Sequence, residues 1–355
     1  MVMPTPNGAL PDRLRLLVGV GGIGTGMFFA LDGDATLGRN ESRPGRLLDV
    51  RDYCKLHIIA HYVAVLMRGS MGVMPIGKVG DDDAGRRLIE EMTAAGMDLR
   101  FVQTLKGLPT TLSVCFQYPD GSGGNLTTSN GASAALHPRD IDAAVPVMAA
   151  HRGEFIALAA PEVSLDCRWH MLELSGRYGG LRVAAFASAE IPEALDRGTL
   201  CHVDILAVNE DEAAVFAQQE FDADRPEAFL RTLDQQVRYE ADGQDLRILM
   251  SAGKAGAYAC KGGRWDFIPA LSVEVASTAG AGDALLAGTL AGIAMGMPFA
   301  LDRPHRSTLT GAPVASAVDF GAILAAMSVT SPHTIHPDAD LPHLRAFAKE
   351  HGIDV

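Results

Sequence analysis

The chain contains no C-x-x-C pair and no cysteine at metal-ligand spacing from a histidine. Its five cysteines, Cys54, Cys115, Cys167, Cys201 and Cys260, are scattered along 355 residues. An odd, dispersed set excludes a disulfide framework and predicts reduced thiols, hence a cytoplasmic location. Basic residues are also in deficit, 30 against 43 acidic ones, for a net charge of -13. That excludes nonspecific binding to nucleic acid or to an acidic membrane, which needs a basic surface. It places no limit on an anionic small molecule, because a site can be locally basic on an acidic protein. The longest apolar runs are broken by glycine and charge well short of a membrane span. Met1 to Leu10 show no basic segment followed by an apolar one, so no signal peptide is expected. Internal repeats and low-complexity segments are missing too. What is abundant is apolar residue, 48% of the chain, enough to bury a substantial core in one large α/β domain spanning 1–355 with a small appendage.

The hydrophobic pattern predicts strands at 14–20, 70–76, 154–159, 181–187, 203–208 and 246–251. Helical spacing occurs at 52–68, 83–95, 138–150, 164–178, 210–219 and 226–240, with a turn at 77–83. This alternation implies a doubly wound, mostly parallel sheet with helices on both faces. Residues 257–275 break it with an antiparallel hairpin. Apolar helices near 282–296 and 313–328 close the chain, separated by an exposed loop at 301–312. A further hairpin, 110–118 with 124–129, surrounds Pro119-Asp120-Gly121-Ser122-Gly123. Together with 35–50 it is left outside the rhythm. The two pieces, about 35–50 and 105–130, are expected to pair into a small β lid.

The chemistry concentrates at Ser277-Thr278-Ala279-Gly280-Ala281-Gly282-Asp283, where a β segment ends and a long apolar helix begins. Small residues let backbone approach a ligand closely. Free N–H groups at a helix start, with the positive end of its dipole, suit phosphate oxygens. Asp283 in that first turn would accept the proton of an attacking hydroxyl, while the amides of Gly280, Ala281 and Gly282 bind the developing charge. Taken alone, the same residues also fit a tight turn followed by an ordinary acidic helix start.

This segment, with Ala284-Leu285-Leu286-Ala287-Gly288 after it, resembles the second signature of the ribokinase-like (PfkB-type) carbohydrate kinases, D-T-x-G-A-G-D before a small, apolar helix. Only the first position departs, with Ser277 in place of Asp. The resemblance extends from about residue 14 to about 335. Asn209-Glu210-Asp211-Glu212 matches the family's N-x-x-E motif; by resemblance Glu212 organises Mg²⁺ through water and Asn209 contacts the phosphates. Ser251-Ala252-Gly253-Lys254-Ala255-Gly256 matches the T-x-G-x-x-G segment, so Ser251, Gly253 and Gly256, with Thr278, are implied to line the nucleotide site. Gly77 to Gly85 matches the G-x-x-G-D-D-x-x-G turn, read here as structural. Pro109-Thr110-Thr111, Pro119-Asp120-Gly121 and Gly131 to Leu136 follow the lid pattern. The resemblance implies a ribokinase-like fold and transfer of the γ-phosphoryl group of ATP to a hydroxyl of a sugar or sugar derivative. It also implies a homodimer formed through the lid.

Departures cluster where the acceptor should bind. Relatives carry an Asp shortly after the first strand; here that place falls among Gly22 to Gly26, and Asp32 and Asp34 are the nearest acids. Relatives open the next helix with G-G-x-x-x-N; here the stretch is Lys55 to Tyr62, without the glycines or the Asn. Asp32, Asn40 and His61 are the acceptor candidates, with Arg43 also on the first lid piece. His61 lies four residues from His57 on one helix face, a spacing that also fits two structural histidines. In relatives the Asp replaced by Ser277 helps bind a monovalent cation, so potassium activation is not expected here. Gly19-Val20-Gly21-Gly22-Ile23-Gly24 fits the dinucleotide fingerprint, yet a helix from Thr25 would break at Asp32-Gly33-Asp34 and no second strand precedes Glu41. Two alternatives stay open: a nucleoside kinase of the same fold, and a nucleotide-binding regulatory protein without catalysis.

Overall fold

Residues 14–119, 123–304 and 306–354 are described by the computed structural model. The chain enters on β1 (Leu16–Val20), leaves the main body as β2 (Gly24–Leu31) and β3 (Gly45–Tyr53), and returns as α1 (Lys55–Leu66). Next come β4 (Gly72–Gly80), α2 (Asp83–Ala94) and β5 (Val102–Leu105), then a second excursion, β6 (Thr111–Gln117) and β7 (Gly123–Thr127). The regular part follows: α3 (Pro138–Asp142), α4 (Val145–Ala150), β8 (Phe155–Ala159), α5 (Leu165–Arg177), β9 (Leu181–Ala185), α6 (Ile191–Asp196), β10 (Ile205–Val208), α7 (Glu210–Ala217), α8 (Pro226–Glu240) and β11 (Arg247–Ala252). The hairpin β12 (Gly256–Lys261) and β13 (Arg264–Pro269) precedes α9 (Ala281–Ala294), α10 (Ala317–Ser328) and α11 (Leu341–Glu350).

Nine strands form one sheet in the order β13-β12-β11-β10-β9-β8-β1-β4-β5, parallel except for β12 and β13. Both faces are covered, which is why the central strands read as continuous apolar runs. Alternate residues of one strand feed opposite layers. Leu17 packs with α1, α9 and α10, whereas Leu16, Val18 and Val20 pack with the layer containing α5 and α8. Each such side chain, fully buried, contributes about 1.5–3 kcal/mol. α9 is apolar all round because it is buried between the sheet and α10. Gly288 and Gly321 permit that contact: a Cβ on Gly321 would lie 2.4 Å from the Leu285 carbonyl. The doubly wound, mostly parallel sheet expected from the sequence is the sheet observed.

A separate four-stranded sheet, β3-β2-β6-β7, pairs β2 parallel to β6. Its first strand starts at Gly24, earlier than the 35–50 stretch expected to supply it, and 32–44 is the exposed connection between β2 and β3. The run Met27-Phe28-Phe29 favours strand, and every residue from Gly24 to Ala30 finds a partner in β6. Asp82 ties this sheet's hinge to the main body. Its carboxylate accepts from Gly85 N at 2.8 Å, Thr110 N at 2.8 Å and the Thr110 hydroxyl at 2.6 Å.

Other differences have local causes. The helix expected at 138–150 is two helices, because Pro146 cannot donate to the preceding turn. The turn expected at 77–83 is strand as far as Gly80, since β5 pairs with it. The loop at 301–312 is tied down rather than exposed throughout. Arg303 pairs with Asp266 and Asp319 at 2.8 and 2.9 Å, Arg306 with Asp319 at 2.5 Å, and Leu309 is buried. Asp120 to Ser122, where a hairpin turn is expected, and residues 1–13 lie outside the described residues. Among the described residues, no helix is long and apolar enough to cross a membrane.

Candidate active site

The head of α9 is built by Gly280. It occupies the left-handed region (φ 79°), and a Cβ there would lie 2.7 Å from the Thr334 carbonyl. Ala281 N turns back to the Thr278 carbonyl at 3.3 Å. Gly282 and Asp283 contribute first-turn amides, which have no carbonyl one turn earlier in the helix to receive them. Gly280 to Asp283 all line one cavity of about 820 Å³. Burial pushes the Asp283 carboxyl above the ordinary aspartate range; Lys55 opposes that and Glu212 reinforces it. Ser277, one turn earlier, has its hydroxyl engaged with Ala279 N at 3.2 Å.

The same cavity is lined by Asn209, Glu212, Ser251, Gly253, Gly256 and Thr278, so the nucleotide and phosphate candidates meet in one place. Asn209 and Glu212 form a reciprocal cap on α7. Asn209 Oδ1 accepts from Glu212 N at 2.8 Å, and Glu212 Oε2 accepts from Asn209 N at 2.9 Å. The cap therefore fixes a carboxylate that also faces the cavity. Gly256 has φ 122°, and a Cβ on it would meet the Ile268 carbonyl at 2.1 Å. Leu271, Val273, Ala322, Ala325 and Val329 add apolar side chains to the cavity lining, suited to a flat heteroaromatic ring.

Lys55, the first residue of α1, was not singled out by its sequence context. Its ammonium lies 3.7 Å from Glu212 Oε1 and 3.9 Å from Asp283 Oδ1. Burial works against that charge, but Asp283, Glu212 and Glu162 outweigh it, so the lysine titrates above its usual range. Two further carboxylates were missed. Asp52, near the end of β3, is raised to about 6 by burial. Glu162, just past β8, is raised to about 7, again by burial, with Lys55 opposing. No local pattern marks any of the three, because Asp52 and Lys55 meet Glu162 and Asp283 only in space, more than one hundred residues away along the chain.

The acceptor candidates are placed differently. Asp32 and Asn40 are exposed on the connection between β2 and β3 and do not line the cavity. His61 does not line it either. It packs against His57 at 6.0 Å between ring centroids, and burial lowers it to about 4. His57 is fully buried, without a hydrogen-bond partner on either nitrogen, and is lowered by burial to about 3.

Among the described residues, no group of three or more His, Cys, Asp or Glu is arranged to hold a metal ion. A Mg²⁺ ion suits such a site when phosphates and water supply most of its oxygens. Glu212 fits that use, since Oε1 has only the long contact to Lys55.

A family model described as pfkB family carbohydrate kinase matches residues 60–341. The chain belongs to that family. It is 26% identical over 215 residues to a deoxyribokinase of Salmonella typhi, a match covering 60% of this chain and 66%, just under two thirds, of the relative. It is 29% identical over 235 residues to a fructokinase of Klebsiella pneumoniae, covering 62% and 70%. The ribokinase of Cryptococcus neoformans var. grubii, solved in complex with ADP, superposes with a TM-score of 0.71 at 18% identity, over 94% of this chain and 99% of that one.

Proposed function

We propose that this pfkB family member transfers the γ-phosphoryl group of ATP to a hydroxyl of a sugar or sugar derivative, with Asp283 as general base. The observation that carries the reading is the shared cavity. Asp283, the first-turn amides of α9 and the Asn209–Glu212 cap face one space, whose lining also includes an apolar slot of Leu271, Val273, Ala322, Ala325 and Val329. The nucleobase would occupy that slot, near Gly253 and Gly256. The β- and γ-phosphates would lie on the amides of Gly280 and Gly282, and on that of Ala281 if it gives up the Thr278 carbonyl it meets at 3.3 Å. Mg²⁺, when bound, neutralises charge on the phosphates, and Glu212 would hold its water.

Asp283 takes the proton from the acceptor hydroxyl as that oxygen bonds to the γ-phosphorus. The bond from the γ-phosphorus to its bridging oxygen breaks, and ADP leaves. The raised pKa of Asp283 suits it to this exchange, because a base too acidic holds the proton poorly. Lys55 keeps the carboxylate ionised and offers positive charge beside the phosphates. The small sheet, as a lid, would exclude water from the transfer.

Asp283→Asn tests this. The variant should fold and bind ATP, and its turnover should fall by roughly 10²- to 10⁴-fold. Wild-type turnover in that variant would remove the assignment. A nucleoside acceptor remains the second reading within the same chemistry, and ATP consumption over sugars, sugar acids and nucleosides separates the two. Tight ATP binding without turnover on any acceptor would favour the regulatory protein instead.

A further inference from the structure

The end of β3 is held by a segment far along the chain. β3 is an edge strand of the small sheet, and its ladder with β2 is interrupted. Gly26 faces Asp52 and Phe28 faces Leu48, so residues 49–51 stand opposite Met27 alone. A bulge of this kind frees backbone groups from the ladder. Arg51 gives both of its own to the segment after α10. Its N–H donates to His333 Nδ1 at 3.1 Å. Its carbonyl accepts from Thr334 N at 3.1 Å and from the Thr334 hydroxyl at 3.3 Å.

The same segment is fixed to the main body. Tyr62 of α1 donates its hydroxyl to the Thr334 carbonyl at 3.4 Å and accepts from His336 N at 2.8 Å. Thr334 is buried and packs on Gly280: a Cβ on that glycine would lie 2.7 Å from the Thr334 carbonyl and 3.1 Å from the Thr334 Cβ. Thr334 therefore touches both the small sheet and the glycine that shapes the head of α9.

One of these bonds depends on a proton. An imidazole nitrogen accepts from an amide only while it carries no hydrogen, and the imidazolium carries one on each nitrogen. Histidine is the side chain that changes charge between about pH 5 and 8. With His333 protonated, the Arg51 amide would lose its acceptor and face a second donor. The charged and titratable groups around His333 are Arg51 and Asp52 at the end of β3, and His336 on its own segment. Burial lowers His336 most, and the charges of His343 and His333 lower it further against Asp338.

We propose that His333 and Thr334 are positioning residues that clamp the end of β3 to the head of α9, and that protonation of His333 opens the clamp. The inference rests on the reading of the small sheet as a lid. At neutral pH that sheet is held beside the first turn of α9, and in acid it is released.

Hydrogen exchange of the full chain at pH 7.5 and 5.5, each rate divided by the intrinsic rate at that pH, reads the clamp at the Arg51 amide itself. The amides of β1 open only with the whole fold and serve as the reference. Relative to them, the wild-type Arg51 amide should open about 3- to 10-fold more readily at pH 5.5, the weight of one hydrogen bond. His333→Gln offers a carbonyl oxygen at either pH and should abolish the response, whereas His333→Ala should be open at both. Equal protection of Arg51 at the two pH values in wild type would overturn the proposal. So would an undiminished response in His333→Ala. On an acceptor that turns over, kcat/KM of wild type should fall about 3- to 10-fold more in acid than that of His333→Gln, at equal ATP KM; coincident profiles would overturn the coupling to α9. Exchange needs no substrate, so a chain without turnover on any acceptor would lose the kinase reading while the Arg51 amide still decided the clamp.

Discussion

Replacing Lys55 by Met removes one ammonium from between two carboxylates while keeping an unbranched side chain of similar length. The distances set the scale. At 3.9 Å from Asp283 and 3.7 Å from Glu212, each pair is worth about 4 kcal/mol at an effective dielectric of about 20. The lysine side chain is 32% exposed, so solvent screens part of this, leaving roughly 1.5–3 kcal/mol acting on Asp283. Lys55 is the charge that holds the Asp283 carboxyl down against burial. Its loss should raise the carboxyl further and move the acid limb of the kcat/KM profile upward by about one to two pH units. Activity at neutral pH then falls and partly returns in alkali, while Lys55→Arg keeps the limb near its wild-type position. The assay is coupled ADP release from pH 5.5 to 9.5. An acid limb in Lys55→Met that coincides with wild type would refute the pairing of Lys55 with Asp283.

Gly321→Ala should cost about 1–3 kcal/mol in urea denaturation, since the new methyl would lie 2.4 Å from the Leu285 carbonyl and 2.5 Å from the Thr289 hydroxyl; unchanged stability would show that α9 and α10 separate freely. His57 is lowered to about 3 and His61 to about 4. Below pH ~6.5 the unfolded chain therefore binds protons that the folded one refuses, and each histidine removes up to about 1.4 kcal/mol of stability per pH unit. Asp52 and Glu162, raised to about 6 and 7, act in the opposite direction: their contribution is full at low pH and is lost as pH rises through those values. The informative quantity is thus a difference. His57→Leu should gain on wild type as pH falls from 6 to 4, and parallel stability curves would refute the burial of a neutral imidazole. Exchanging potassium for tetramethylammonium should leave turnover unchanged, because Ser277 supplies no carboxylate; a strict potassium requirement would show that other groups bind the cation.

Much of the framework was legible where one segment carries its own signal. α8 spans Pro226–Glu240, the bounds expected from a 3.6-residue period with Pro at the first helical position. The head of α9 was legible because Gly280 must take a backbone conformation that side chains resist, and a helix start offers amides wherever it occurs. The surroundings of Asp283 were not legible in this way. Asp32 and Asn40 drew attention through their nearness to missing motifs, yet they lie on an exposed connection. Lys55 reads as the first residue of an ordinary helix, Asp52 as one acid in an alternating strand, and Glu162 as part of a loop before α5.

The sequence alone determined the layers, the cavity-lining glycines and the carboxylate at the start of α9, because period, helix caps and left-handed turns are properties of neighbouring residues. Only the tertiary structure decided which charges face that carboxylate. The ends of β3 and β8, the start of α1 and the cap of α7 meet through strand order and crossover connections. Electrostatic partners are chosen by distance in space, and distance along the chain does not encode it.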